Sequence, residues 1–137
     1  MTTKDWLMRA WRIDKEIEAM LVARKRAYDR CTSVTTRPRE VVVSSSHDPD
    51  TAMIALLNIE ALIDERIDQL NQIKAEILNA ITAVQDCTLR TLLIERYINF
   101  KTWEQIAVDM GYSFAHVTKT LHPMALQKLD YPKQSYI

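Results

Sequence analysis

The chain has 137 residues, and its 18 Lys and Arg balance its 18 Asp and Glu, so the formal net charge is zero. This length suits one compact domain, or a helical arm that carries one small domain. Apolar residues make up 47% of the sequence, which excludes a disordered chain, and the single Gly excludes a fold built from many tight turns. We therefore predict an all-α protein.

The zero net charge hides a segregated pattern. Residues 1–47 carry ten Lys and Arg against six Asp and Glu, residues 48–87 carry two against eight, and residues 88–137 carry six against four. An acidic segment between two basic ones favours charge pairing within the chain together with a polyanionic partner.

The two cysteines, Cys31 and Cys87, form neither a CxxC motif nor a metal-binding spacing with histidine, so we expect two free thiols. The amino terminus has no apolar signal core, and no stretch approaches the roughly 20 apolar residues of a membrane span. These features predict a cytoplasmic protein without a membrane partner.

Residues 4–31 are expected to form the first helix, with Thr2 or Thr3 as its cap. Its apolar residues recur at alternating spacings of three and four, which is typical of a coiled-coil seam. Residues 32–49 break this pattern with Ser, Thr and Pro, and we predict a connector there.

A second long helix is predicted from Asp48 to about Val84, because Asp48 is a good cap and Pro49 fits a first helical turn. The basic end of the first helix matches its acidic start, so we expect the two to form a long antiparallel, coiled-coil-like hairpin over residues 1–84. The hairpin leaves apolar faces uncovered. Either the C-terminal helices cover them or a second subunit does, as in a homodimer through the long helices.

A small C-terminal domain is predicted at residues 86–130, followed by a tail at 131–137. Its first helix is expected at 88–99. A second, short helix is expected to begin with a capping box of Thr102 and Gln105 and to end at Gly111, and Ser113 would cap the next helix. The apolar residues expected to face inward are Ile106, Met110, Val117 and Leu121, and Ala107 is a small residue where the second helix is expected to pass closely. These features predict a helix-turn-helix at residues 102–122.

A helix-turn-helix binds DNA by placing the N-terminal part of its second helix in the major groove. Lys119 is expected to bind phosphate or guanine, and Phe114 and Ala115 to contact thymine methyl groups. Lys101 and Thr102 are suited to phosphate contact. The predicted DNA-binding residues are Lys101, Thr102, Ser113, Phe114, Ala115, His116, Thr118, Lys119 and His122.

This surface carries few cations, so we expect a single copy to bind weakly without a dimer, a partner protein or the basic N-terminal segment. Trp103 and Tyr97 are expected to be core residues rather than base-stacking ones. Pro123 is expected to kink or restart the second helix.

Five pieces of the C-terminal sequence carry a family resemblance: Arg96-Tyr97-Ile98, Thr102-Trp103-x-x-Ile106-Ala107, Met110-Gly111-Tyr112-Ser113, His116-Val117 and Ala125-Leu126-x-x-Leu129. With them, residues 89–129 resemble the region-four helix-turn-helix of sigma-70-type factors. More closely, they are similar to phage and prophage transcriptional regulators of the ArpU/RinA type. The resemblance implies promoter-proximal binding of double-stranded DNA and contact with RNA polymerase, in control of phage genes.

Three functions stay open on the sequence alone. The first is a sequence-specific transcriptional regulator, the second a phage DNA-packaging adaptor of the small-terminase kind, and the third a helical interaction module that binds no DNA. The sequence has no Gly-rich phosphate loop, and His47, His116 and His122 lie at no hydrolytic spacing. We therefore predict no enzyme activity, no catalytic residue, no cofactor and no metal site.

Overall fold

The computed structural model describes residues 1–33 and 49–133. Its elements, in chain order, are α1 (Thr3–Leu7), α2 (Arg9–Ser33), α3 (Pro49–Thr82), α4 (Cys87–Tyr97), α5 (Trp103–Met110), α6 (Phe114–His116), a π-helical turn (Val117–Leu121) and α7 (His122–Lys128). The described residues contain no strand, which confirms the all-α class. Asp48 and most of the predicted connector at 32–49 lie outside the described residues.

The chain forms two compact units. One combines Met1–Arg12 with Leu70–Ile137, and the other is Ile13–Gln69. The domain division at residues 84–86 that the sequence favoured stays a prediction. None of the helices within residues 1–33 and 49–133 has the length and apolarity that crossing a membrane requires.

The unit Ile13–Gln69 pairs a segment of α2 with a segment of α3. An ion pair joins Arg66 Nε of α3 to Glu16 Oε1 of α2 at 2.9 Å. Both side chains are partly exposed, so the pair contributes little to stability and acts mainly on the register of the two helices. The buried apolar residues of this unit are Ile17, Ala27, Leu56 and Ile63.

The other unit begins with a reciprocal cap on α1. The Thr2 hydroxyl accepts a hydrogen bond from the Asp5 N–H, and the Asp5 carboxylate accepts one from the Thr2 N–H, each at 3.1 Å. These bonds confirm Thr2 as the cap, and the hydrogen bond from the Thr2 backbone is the main cause that lowers the pKa of the Asp5 carboxyl. In the same unit, Arg9 Nη2 binds Glu76 Oε2 at 3.1 Å.

The core of this unit lies beneath the C-terminal helices. Asp86 caps α4, because its carboxylate accepts hydrogen bonds from the N–H groups of Thr88 and Leu89 at 2.9 and 3.3 Å. Helix α4 begins one residue before the predicted span of 88–99 and ends two residues before the end of that span. The side chains buried with α4 include Trp6, Leu7, Ile77, Ile81, Leu89, Leu92, Leu93, Tyr97, Ile106, Val117, Ala125 and Leu129.

Candidate nucleic-acid interface

The start of α5 shows half of the predicted capping box. The Thr102 hydroxyl accepts a hydrogen bond from the Gln105 N–H at 3.2 Å, as predicted. The Gln105 side chain does not reach back as predicted; its Nε2 donates forward to Asp109 Oδ1 at 2.7 Å. Thr102 is exposed, and its hydroxyl caps the start of α5.

Gly111 ends α5 in the left-handed conformation, with φ 76° and ψ 27°. The Tyr112 N–H donates to the Ala107 carbonyl at 3.0 Å, and the Gly111 N–H donates to the Val108 carbonyl at 3.3 Å. These two bonds form a Schellman motif, which satisfies carbonyls that the end of a helix leaves without partners. The lone glycine therefore stands where the backbone needs one.

The next helix starts two residues later. The Ser113 hydroxyl accepts a hydrogen bond from the His116 N–H at 3.1 Å, which confirms Ser113 as the cap. Three of the four residues predicted to face inward are buried, and Met110 is only partly buried; Ala107, predicted where the second helix passes closely, is buried too. The buried four are Ile106, Ala107, Val117 and Leu121.

The outward side of this helix presents several of the predicted site residues. Thr118 is half-buried, and its hydroxyl donates to the Phe114 carbonyl at 2.9 Å. The Tyr112 ring lies 5.2 Å from the His116 ring, and 41% of the Tyr112 residue surface is exposed. Sequence reasoning missed Tyr112, although its position directly after the turn glycine was a signal. We name the reading face as the exposed residues Tyr112, Ser113, Phe114, Ala115, His116 and Lys119.

Pro123 lies in the first turn of α7, which begins at His122 directly after the π-helical turn, so the α-helix is interrupted and restarts there as predicted. Proline has no N–H to donate to the carbonyl four residues before it. The chain accommodates it with a π-helical turn, in which the His122 N–H donates to the Val117 carbonyl, five residues back. Helical backbone therefore continues from Phe114 to Lys128.

His122 faces inward, so its predicted outward position is wrong. The residue is 9% exposed, and its Nε2 lies 2.6 Å from the Tyr97 hydroxyl. The Trp103 ring packs edge-on at 4.5 Å from the imidazole. Burial lowers the pKa of His122 to about 4, with a smaller contribution from the positive charges of Lys4 and Arg96.

The two aromatic residues predicted for the core pack beside this histidine. Tyr97 is buried, as expected, and burial raises the pKa of its hydroxyl to about 12. Trp103 is half-buried, and the Arg96 guanidinium lies 4.5 Å from its ring. Arg96 Nη1 also donates to the Lys101 carbonyl at 2.9 Å, which ties the loop before α5 to α4.

Lys101 is paired within the chain. Its ammonium binds the Glu95 carboxylate and, at 2.9 Å, Asp109 Oδ2. The hydrogen bond to Glu95, followed by that to Asp109, raises the pKa of the ammonium. The phosphate contact predicted for Lys101 would therefore compete with these two carboxylates.

The reading face therefore carries one lysine, Lys119, among aromatic and small side chains. Within residues 1–33 and 49–133, no group of three or more His, Cys, Asp and Glu side chains is arranged to hold a metal ion. Comparison of the chain with protein-family models, with curated proteins and with solved structures gave no significant match.

Proposed function

We propose that this protein is a sequence-specific DNA-binding transcriptional regulator, in which α5 and the helix that begins at Phe114 form a helix-turn-helix. The turn at Gly111 is the observation that carries the proposal. A Schellman motif ends α5 there, and the Ser113 cap starts the next helix within two residues. This short, capped turn leaves the apolar side of both helices buried and the reading face exposed, as major-groove binding requires.

The reading face supports base recognition by a small number of contacts. Lys119 supplies a cation for phosphate or for the acceptors of guanine. Phe114 is 48% exposed and Ala115 is also exposed, so both suit contact with thymine methyl groups. His116 adds a ring that donates or accepts hydrogen bonds. His122 and Lys101 are not part of the proposed interface, because the first is buried and the second is paired.

The resemblance of residues 89–129 to phage and prophage regulators supports a further step. We propose that the protein acts on phage genes beside RNA polymerase, with double-stranded DNA as its principal partner. The long helices would serve as the arm that carries the DNA-binding domain. The ion pair between Glu16 of α2 and Arg66 of α3, within the unit Ile13–Gln69, supports the pairing of the two long helices in this arm.

The test is a binding titration at several salt concentrations on a duplex selected from a random-sequence pool with the full chain. We expect Lys119→Ala to weaken binding and to reduce the slope of log K against log salt by about 0.9, the value for one lost phosphate contact. Lys25→Ala is the matched control, since it removes the same charge from an exposed pair with Asp29 in the other unit.

Unchanged affinity and slope for Lys119→Ala would contradict the proposed reading face. A full chain that retains no duplex at low salt would favour the helical interaction module over a DNA-binding protein. Oligomers of ring size in solution would favour the DNA-packaging adaptor.

A further inference from the structure

A groove lies between the start of α1 and the end of α7, within the unit formed by Met1–Arg12 and Leu70–Ile137. Three lysines line it, from three separate parts of the chain: Lys4 in α1, Lys128 at the end of α7, and Lys133 beyond it. Asp130 is the one carboxylate among the lining residues. We name this surface the basic groove; its other lining residues are Thr2, Thr3, Leu126, Gln127, Leu129 and Tyr131.

Within the part of the chain that the structure describes, the three lysines of the basic groove have no carboxylate partner. Several other cations of the same unit are matched by carboxylates: Arg9 by Glu76, Arg12 by Asp5, and Lys101 by Glu95 and Asp109. Among the described residues, Lys4, Lys128 and Lys133 form no ion pair with a carboxylate, and all three are exposed. Other described cations of this unit without such a pair are Lys74 and Arg96, which lie over aromatic rings, and Arg90 and Lys119. The basic groove brings three unmatched lysines to one surface, and such a surface attracts polyanions.

The position of the basic groove relates it to the reading face. Helical backbone runs without a break from Phe114 to Lys128. At 1.5 Å per residue, Lys128 lies about 14 Å along the helix axis from Lys119. This separation is close to the width of the major groove of B-DNA, about 12 Å. A duplex whose bases meet the reading face would thus bring a phosphate strand towards the end of α7.

We propose that the basic groove is a second DNA contact, which binds the phosphate backbone beside the bases that the reading face contacts. This inference rests on the proposed function. Among the described residues, the one aromatic ring that lines the groove is that of Tyr131, which is half-buried and stacks on Trp6 at 5.3 Å, so it is not placed to contact bases. Phosphate contacts carry no sequence information, so the groove strengthens binding to all duplexes and supplies the affinity that one lysine on the reading face does not.

The test compares two triple variants of the full chain that lose the same charge. The groove variant combines Lys4→Gln, Lys128→Gln and Lys133→Gln. The control variant changes three cations of the other unit and combines Lys15→Gln, Lys25→Gln and Arg26→Gln. Binding to the selected duplex and to a random duplex is measured across a salt series, and circular dichroism verifies that both variants are as helical as the original chain.

We expect the groove variant to lower the slope of log K against log salt by about 2 to 3. We also expect it to weaken binding to both duplexes by the same factor. We expect the control variant to leave the slope unchanged. An equal loss of slope in the control would mean that net charge alone matters, which overturns the proposal.

The Lys119→Ala variant separates the two proposals. Suppose that Lys119→Ala weakens binding while the groove variant keeps the original slope. The basic groove is then not a DNA contact, although the proposed function stands. A groove that binds an acidic protein instead of DNA would give the same result. If the original chain binds neither duplex, both proposals are overturned.

Discussion

Tyr97 and His122 form a buried polar pair that joins α4 to the start of α7. The hydroxyl and Nε2 are 2.6 Å apart, and the Trp103 ring covers the imidazole. The hydroxyl and a neutral imidazole share one hydrogen bond, whose donor depends on which ring nitrogen carries the proton, so the contact needs no buried charge. The pair thus fixes how the helix that carries the reading face packs on α4.

This pair predicts a loss of stability in mild acid. The pKa of His122 is about 4 in the folded chain against 6.5 for the free side chain, so the unfolded state binds more protons between these values. The stabilisation is therefore complete above pH 6.5 and is lost as the pH falls towards 4. The full shift corresponds to about 3 kcal/mol, and partial contact with water reduces the expected loss to about 2 kcal/mol.

Urea unfolding followed by circular dichroism between pH 7 and pH 4 measures this loss. His122→Gln keeps a polar side chain that does not titrate there, so we expect its free energy of unfolding to fall less than that of the original chain. His116→Gln is the control, because it makes the same replacement at an exposed histidine. Identical pH profiles for the original chain and His122→Gln would refute the assignment.

Among the elements, the helices whose boundaries are set by capping residues were predictable from the sequence. Thr102, Gly111 and Ser113 form hydrogen bonds to residues a few positions away. Their helices begin or end at these residues, as the sequence indicated. The side that His122 faces was not predictable from an ideal period of 3.6 residues. The π-helical turn before Pro123 inserts one residue, which turns every later position by about 100° and brings His122 inward.

Long-range partners were also beyond the sequence. The sequence did not indicate the carboxylate partners of Lys101, because Glu95 lies in the preceding helix and Asp109 at the far end of α5. Only the loop between α4 and α5 brings the two carboxylates to one ammonium. The same holds for the basic groove, in which Lys4 is more than a hundred residues of sequence away from Lys128 and Lys133.

The turn between α5 and the next helix predicts a specific backbone effect. A Cβ added at Gly111 would meet no atom within 4 Å, so only the left-handed conformation penalises a side chain there. We expect Gly111→Ala to lower the free energy of unfolding by about 1 kcal/mol, and Gly111→Asn to lower it by less, since Asn tolerates this conformation better. Val108→Ala, at a position that is 76% exposed on α5, should change stability little. A neutral Gly111→Ala would show that the turn does not need its left-handed residue.

At the scale of the whole molecule, the all-α class followed from composition and periodicity. Helix α3 is close to its predicted span, whereas the single helix predicted at residues 4–31 is divided at Met8 into α1 and α2. The unit Ile13–Gln69 nevertheless leaves much apolar surface in water. Two helices side by side bury only one stripe each, so the remaining apolar positions need another partner. The large apolar residues exposed in this unit are Leu21, Val22, Tyr28, Met53, Ile54, Leu57, Leu62 and Ile67.

We predict that a second copy of the chain covers these residues and that the protein is a homodimer through its long helices. A second copy is the favoured partner because the reading face carries a single lysine, and two linked reading faces on one duplex strengthen binding through their high effective concentration. Ile54→Glu with Leu57→Glu, at positions 57% and 55% exposed, should give a folded monomer whose Kd for DNA is at least about tenfold higher. Sedimentation equilibrium and DNA titration measure the two effects.

Val108→Glu is the matched control for this double variant, because it places one carboxylate on an exposed apolar position of the other unit. It should leave the dimer intact. If the original chain sediments as a monomer throughout the micromolar range, or if the double variant remains a dimer, the exposed residues of Ile13–Gln69 do not join two copies. The affinity for DNA would then have to come from the reading face and the basic groove of a single chain, and in that case the groove variant should abolish retention of DNA rather than weaken it.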